Sequence, residues 1–599
     1  MTIRIDENIQ FQQMEGFGAS FTDSSAWLVY HRLNETQRTT LMTNLFSTVS
    51  GIGLGMLRQP MGASDFSASG NYSYDDMPAG QTDPNLLNFS IDHDKGYIIP
   101  VLRQALQLNP KLKIIGSPWS PPGWMKTSRS MLGGRLEADA YAPLANYFVK
   151  FIQAYQTQQV PINYVTVQNE PLYIPPDYPS MGMSAFEQSD FIKNYLGPAF
   201  AAHNINTKIL AYDHNWIERS YPETILGDAA AAQYVSGIAW HCYEGNISAQ
   251  TLTHNAYPNK DAFITECSGG TWEGGDWNAL QNEVKTLIIQ GSRNWAKSVI
   301  LWNMALDTNN GPTNGGCDTC RGVVTINQNT GNVIYNIDYY ALGHASKFIK
   351  PGAYRIHSNT FGSSIENVAF KNPDGSKVVI AYNASGSPNT FKVLWGDKSF
   401  SYTLNPGAAV TFTWSSPTSY TVSGVVKHGA AGLAGVTVKL ASLTPAGFTT
   451  RTATTNSAGA YSFTVVPAGR NYTVTPTKSG YQFNPASRSL TNLSANQTAT
   501  NFAVKVYSIS GQLTRTGTTT GISAATVTLT SPSPAGFPAR TAQTGSLGNY
   551  KFTNLPAGRN YTIKPTKSGF TFSPPTRSIT NLSSNLPAGA STNFTGTGP

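Results

Sequence analysis

The stretch APLANYFVKFIQAYQTQQVPINYVTVQNEPLY, residues 142–173, holds one complete unit of the fold. From Ala142 to Gln156 apolar residues recur at intervals of three and four, the spacing of a helix with one buried face. From Tyr164 the spacing changes, and YVTVQNE reads as a short strand that ends at Glu170, where Pro171 stops it. The same alternation extends outward in both directions. GFGASF (16–21), LGMLRQ (54–59), KIIGS (113–117), KILAYD (208–213), IAWHCY (238–243), AFITE (262–266) and SVILWN (298–303) are the other candidate strands, and WNALQNEVKTLIIQG (277–291) is another candidate helix. Eight strands with intervening helices over about 290 residues predict an α/β fold, a (β/α)8 barrel of the TIM type. A doubly wound open sheet is the alternative, but no Gly-rich phosphate loop follows the first strand.

Beyond the eighth strand the pattern becomes all-β. YALGHASKFI closes the barrel region as a helix, and RIHSN, IENVAFKN, KVVIAYNAS, TFKVLWG and AAVTFTWS read as a meander to about Ser415. The alternating amino-terminal run TIRIDENIQFQQM is expected to complete that sheet. The expected division is therefore 1–15 as strands of a side β-sandwich, 16–350 as the barrel, 351–416 as the rest of the sandwich, then 419–505 and 506–599 as two tandem all-β sandwich domains. The last two are repeats: PAGRNYTVTPTKSGYQFNP from Pro467 returns as PAGRNYTIKPTKSGFTFSP from Pro556, and PAGF at Pro445 returns at Pro534, each 89 residues on.

Charge divides the chain at the same place. The 599 residues carry 41 Lys and Arg against 33 Asp and Glu, yet residues 419–599 contain 14 bases and no acid, which leaves 27 bases and all 33 acids in the body. All 11 Trp also lie in the body. A net charge of +8 is thus an acidic body with a basic tail rather than a nucleic-acid signal. No apolar run approaches the roughly 18 residues a membrane span needs, and apolar and aromatic content exclude a disordered chain. MTIRIDENIQ has neither the basic nor the apolar region of a signal peptide, so either export information lies outside this chain or the protein stays inside the cell. Four cysteines are too few for a disulfide scaffold. Cys317 and Cys320, in GPTNGGCDTCRG, form a small disulfide loop or half a metal site; no second pair or His cluster lies nearby to complete zinc, and no metal or cofactor is expected. Cys242 and Cys267 are expected to be buried free thiols, with Cys267 pointing away from Glu266.

In a barrel, chemistry sits at the carboxyl ends of the strands. Two carboxylates end strand-like runs there, Glu170 on the fourth strand and Glu266 on the seventh, so they can face each other across the mouth. Facing carboxylates are what glycoside hydrolysis requires. The strand-end aromatics Trp119, Trp124, Trp240, Tyr243 and Trp302 offer faces for sugar rings, although a barrel can also bury its tryptophans as core.

FGASFTDSSAWL, LRQPMGASDFS, SPWSPPGWMKT, VQNEPLY, HCYEG, ITECSGG, LWNMALD and ALGHASKFI resemble, in order and spacing, blocks of glycoside hydrolase family 30, which includes glucosylceramidases and β-1,6-glucanases. The resemblance covers about residues 10–415 and implies a retaining double displacement without cofactor. On it Glu170 is the acid/base, with its pKa raised in the free enzyme, and Glu266 is the nucleophile. Asn169 is placed for the sugar 2-OH, His241 and Tyr243 hold the nucleophile and line the first subsite, and Asp65, Trp119 and Trp302 grip the sugar there. Asp23 is expected only to brace the end of the first strand. The insert TNGGCDTCRGVVTI after Trp302 departs from the glucosylceramidase pattern and leaves the substrate open: a β-glucan or glucosylceramide first, a β-1,6-galactan or other β-glycoside as the alternative. A polysaccharide or oligosaccharide is preferred, because no membrane-docking segment is evident. A barrel that has lost catalysis and only binds carbohydrate is the reading from another class. The tail repeats resemble carboxypeptidase-regulatory-like or SdrD B-like modules of secreted bacterial proteins, which implies a secreted or cell-surface protein. They are read as spacers, with electrostatic contact to a cell surface or acidic polymers as the second reading.

Overall fold

A computed structural model describes residues 1–415, 418–442, 448–533 and 536–599. The chain divides into two units, Met1–Ser415 and Ser416–Pro599. In the first, eight parallel strands close a barrel: Gly16–Ser20, Met56–Pro60, Lys113–Ser117, Tyr164–Thr166, Lys208–Asn215, Val235–His241, Asp261–Glu266 and Ala296–Leu301, with the eighth pairing the first. These are the eight strands expected from the sequence. They read as apolar runs because both faces are covered. Met56, Ile115, Tyr164, Leu210, Ala239, Phe263 and Ile300 fill the inside, while Ile114, Val165, Ile238, Trp240 and Ile264 join the core beneath the helices. Gly18 is required where the first two strands meet, since a Cβ there would lie 1.7 Å from Met56 O.

The helix Tyr141–Thr157 buries Leu144, Tyr147, Phe148, Phe151, Ile152 and Tyr155, a three-four stripe. Gln159 turns left-handed at φ 62° just after its end, and the chain reaches the fourth strand. The stretch 277–291 winds as α-helix only to Leu280 and as wider π turns over Gln281–Gln290, a difference that periodicity alone does not show.

The amino-terminal strand Thr2–Gln13 sits in the middle of a seven-stranded sheet, antiparallel to Tyr354–Ser358 and parallel to Asn389–Trp395. Phe400 and Phe412, on the two outermost strands, have ring centroids 4.8 Å apart, so the sheet folds over its own core to make the side sandwich. In the second unit each repeat forms two small sheets around a separate core. Equivalent tyrosines brace both: Tyr472 and Tyr561 donate to the carbonyls of Pro467 and Pro556. The repeated prolines at 445 and 534 lie outside the described residues. No helix among the described residues is long and apolar enough to cross a membrane.

Candidate active site

Glu266 is the last residue of the seventh strand, in register with His241 at the end of the sixth. Glu170 follows the short fourth strand with φ 45°, and its N–H donates to Asp213 O at 3.0 Å. That left-handed backbone is uncommon for a residue with a side chain and costs energy that its surroundings must supply. Tyr212 and Asp213, at φ 79° and 70°, lie where the fifth strand slips register against the sixth. Such a bulge re-aims a side chain, and Asp213 enters the barrel. An oxygen of Glu170, a ring nitrogen of His241 and an oxygen of Glu266 all lie within 4.8 Å of one another.

Arg58, wholly buried on the second strand, ties the site together. Nη1 donates to Glu266 Oε2 at 2.6 Å, and Nη2 donates to Asn169 Oδ1 at 2.7 Å, Asp213 Oδ2 at 2.8 Å and Ser117 Oγ at 3.1 Å. Asp213 also accepts from Ser117, Thr166 and Thr265. Burial alone would raise Asp213, but the Arg58 charge and the His241 hydrogen bond hold it well below the usual carboxylate range. Sequence reasoning passed over both residues. The signal was present as a charged residue at or next to the carboxyl end of each run, Arg58 in LGMLRQ and Asp213 in KILAYD.

His241 faces three carboxylates. Nε2 lies 3.1 Å from Asp213 Oδ1, and Nδ1 lies 3.2 Å from Glu170 Oε1 and 3.9 Å from Glu266 Oε1. Burial opposes the charged ring, but Glu266, Asp213 and Glu170 outweigh it and push His241 up to about 9. His214, also beside Glu170, is pushed down by burial to about 4. The expected raised pKa of Glu170 is not what this arrangement produces. Burial raises it, yet the His241 hydrogen bond and charge prevail and hold Glu170 below its ordinary value. Glu266 is the raised carboxyl, first by burial and then by Glu170 and Asp213, against the pull of His241 and Arg58. Its Oε1 accepts from Tyr243 OH at 2.9 Å.

Asp65, Trp119, Asn169, Glu170, Tyr243, Glu266 and Trp302 line one cavity of about 740 Å³. His241 lies behind it, fully buried. Trp119 and Trp302 stack on each other at 4.9 Å, with the Arg58 guanidinium 4.6 Å from the Trp119 ring. Asp65 Oδ1 is buried without a hydrogen-bond partner, and burial with the nearby Glu266 charge raises its carboxyl well above the ordinary value. Trp124 and Trp240 do not line the cavity. Trp240 alternates outward between Ala239 and His241 into the core under the helices. Trp124 donates to Asp75. Asp23 lies apart too, accepting from Ala68 N beneath the loop that carries Asp65. Tyr178, His214 and Trp272, which the sequence did not single out, line the same cavity.

The cysteines correct a further expectation. Cys242 and Cys267 are joined in a disulfide with Cα atoms 5.5 Å apart, because each directly follows a residue of the register pair His241 and Glu266. Cys317 and Cys320 are also joined, and Cys320 packs with Phe66, Trp119, Trp302 and Leu306. Glu170, His241 and Glu266 are spaced to hold a metal ion. The Arg58 guanidinium already brings positive charge to Glu266, and Tyr243 takes the other oxygen, so the donor set is a poor fit to a cation.

Residues 14–349 match the glycosyl hydrolase family 30 TIM-barrel domain and residues 352–412 match the family 30 beta sandwich domain. Residues 418–516 match the SdrD B-like domain, and 504–594 match the second beta sandwich domain of BOS complex subunit NOMO1-like proteins. An endo-1,6-beta-D-glucanase of Neurospora crassa is 40% identical over 391 residues, covering 63% of this chain and 80% of that one. The lysosomal acid glucosylceramidase of Mus musculus is 32% identical over 431 residues, covering 68% and 82%. Among solved structures, the endo-beta1,6-glucanase BT3312 aligns with a TM-score of 0.65 at 36% identity, over 69% of this chain and 94% of that one.

Proposed function

The chain belongs to glycosyl hydrolase family 30, and from that premise we propose that it hydrolyses β-1,6-linked glucan by double displacement, with Glu266 as nucleophile and Glu170 as acid/base. The carrying observation is the carboxylate pair at the ends of the fourth and seventh strands, with oxygens within 4.8 Å. A retaining pair stands about 5 to 5.5 Å apart, whereas an inverting pair needs about 6.5 to 9.5 Å to admit water.

The charges suit this order of events. Arg58 and Tyr243 hold the two oxygens of Glu266 toward the anomeric carbon. The His241 imidazolium first passes its Nδ1 proton to Glu170. As Glu266 forms its bond to the anomeric carbon, the glycosidic bond breaks and the leaving oxygen takes that proton, which leaves Glu170 a carboxylate and His241 neutral. Loss of the Glu266 charge removes the largest support for the His241 proton, so Glu170 is left as the base for the second step. Water then gives its proton to Glu170 and its oxygen to the sugar, which frees Glu266. Asn169, its oxygen engaged by Arg58, has Nδ2 to donate to the sugar 2-OH. Asp65 Oδ1 takes a hydroxyl in the same subsite, and Trp119 and Trp302 wall it.

The endo-1,6-beta-glucanases among the relatives support the linkage. A second substrate, a β-glucoside with an apolar aglycone such as glucosylceramide, is favoured by Leu172 and Ile217, which line the cavity while exposed. The tail takes no part in bond cleavage in this reading. It spaces the enzyme from a cell surface and contacts acidic polymers there after secretion. Product release from β-1,6-glucan, β-1,6-galactan and glucosylceramide, compared between the intact chain and Glu266→Ala or Glu170→Ala, tests the assignment. Glucan cleavage lost in both variants supports it; undiminished cleavage in either overturns the roles given to the pair.

A further inference from the structure

The second unit contains a cavity of about 710 Å³ whose lining includes Thr437, Thr477, Lys478, Ser479, Tyr481 and Lys505. Two strands of the first sandwich bring Lys505 beside Gln482, where the Lys505 N–H donates to Gln482 O at 2.7 Å. Lys478 Nζ lies 5.9 Å from the centre of the Tyr481 ring, and the Arg559 guanidinium lies 5.4 Å from the same ring. Cations gathered in a concavity are ordinarily matched by neighbouring carboxylates. Here residues 419–599 contain no Asp or Glu at all, so the tail itself supplies no acidic side chain to neutralise the site.

We propose that this cavity binds a segment of an acidic polysaccharide. The lysine ammoniums meet the sugar carboxylates, the threonine and serine hydroxyls meet sugar hydroxyls, and Tyr481 offers a ring to the apolar face of a sugar. This rests on the reading that the tail contacts acidic polymers, and it places that contact at one site rather than over the whole basic surface. The second sandwich acts as an internal contrast. It keeps Lys567 at the place of Lys478, but has Phe570 for Tyr481 and Thr597 for Lys505, so one site is expected per chain.

The test is calorimetric titration of the full chain with polygalacturonate oligomers in low salt, with inorganic polyphosphate of matched charge in a second arm. One binding site is expected for polygalacturonate, weakened about tenfold or more in Lys478→Ala/Lys505→Ala. The control pair Lys551→Ala/Lys564→Ala, exposed lysines of the second sandwich, is expected to bind within about twofold of the intact chain. Because Lys478 also donates to Ala434 O, Lys505→Glu is measured too, and it must weaken binding with the unfolding midpoint of the tail unchanged. Equal losses in the two double variants overturn the site and leave only diffuse attraction. Polyphosphate binding as tight as polygalacturonate overturns recognition of the sugar. No binding of either polymer by the intact chain overturns the tail reading itself.

Discussion

Arg58 is the positive partner of both Asp213 and Glu266 with no solvent around it. Removing one partner of a buried pair leaves an uncompensated charge, which costs about 3 to 5 kcal/mol. Arg58→Met is therefore expected to lower stability by about that amount in denaturant unfolding and to abolish glucan cleavage. An unfolding midpoint equal to that of the intact chain would sink this account of the site. His241 gives a prediction with a sign. Folding raises it from about 6.5 to about 9, so its imidazolium contributes stability that is complete below about pH 6.5 and is lost as the pH rises through about 9. The stability gap between the intact chain and His241→Gln is expected to narrow over that window, and a gap independent of pH contradicts a charged His241. At this scale the sequence was only partly legible. Glu170 and Glu266 announce themselves by ending apolar runs and Asn169 only through the family resemblance, but the lowered pKa of Glu170 depends on a histidine brought against it from two strands away.

At the scale of elements, the eight strands could be read because burial on both faces makes each an apolar run with a polar end. Which end residues meet could not be read so directly. Trp240 and His241 are neighbours in sequence, and alternation sends one into the helix layer and the other into the barrel. The Cys242 to Cys267 link depends on the register of the sixth and seventh strands, which spacing does not give. The loop after Trp302 is an element whose effect on the site is specific. Gly316 sits at φ 72°, and a Cβ there would lie 2.6 Å from Asp65 Cβ and 3.0 Å from its Oδ2. Gly316→Ala is expected to displace Asp65 and reduce kcat/KM on glucan about tenfold, while the cost of a left-handed alanine takes about 1 to 2 kcal/mol from stability. Unchanged kinetics with the stability loss alone would show that Asp65 does not hold the sugar.

For the whole molecule, composition located the division between body and tail, because the acids and the tryptophans both stop before residue 419. All residues given a role in bond cleavage belong to Met1–Ser415, which has its own cores. A chain ending at Ser415 is therefore expected to hydrolyse soluble β-1,6-gluco-oligosaccharides with kcat/KM within about twofold of the intact protein. A large loss would assign the tail a part in catalysis that the geometry does not give it. The central claim is that Glu170 and Glu266 work as a retaining pair, and its most direct measurement is the configuration of the newly formed reducing end, followed by proton NMR in the first minutes of β-1,6-gluco-oligosaccharide hydrolysis. The account predicts that the β-anomer forms first and the α-anomer appears later by mutarotation; an α-anomer formed first would contradict it.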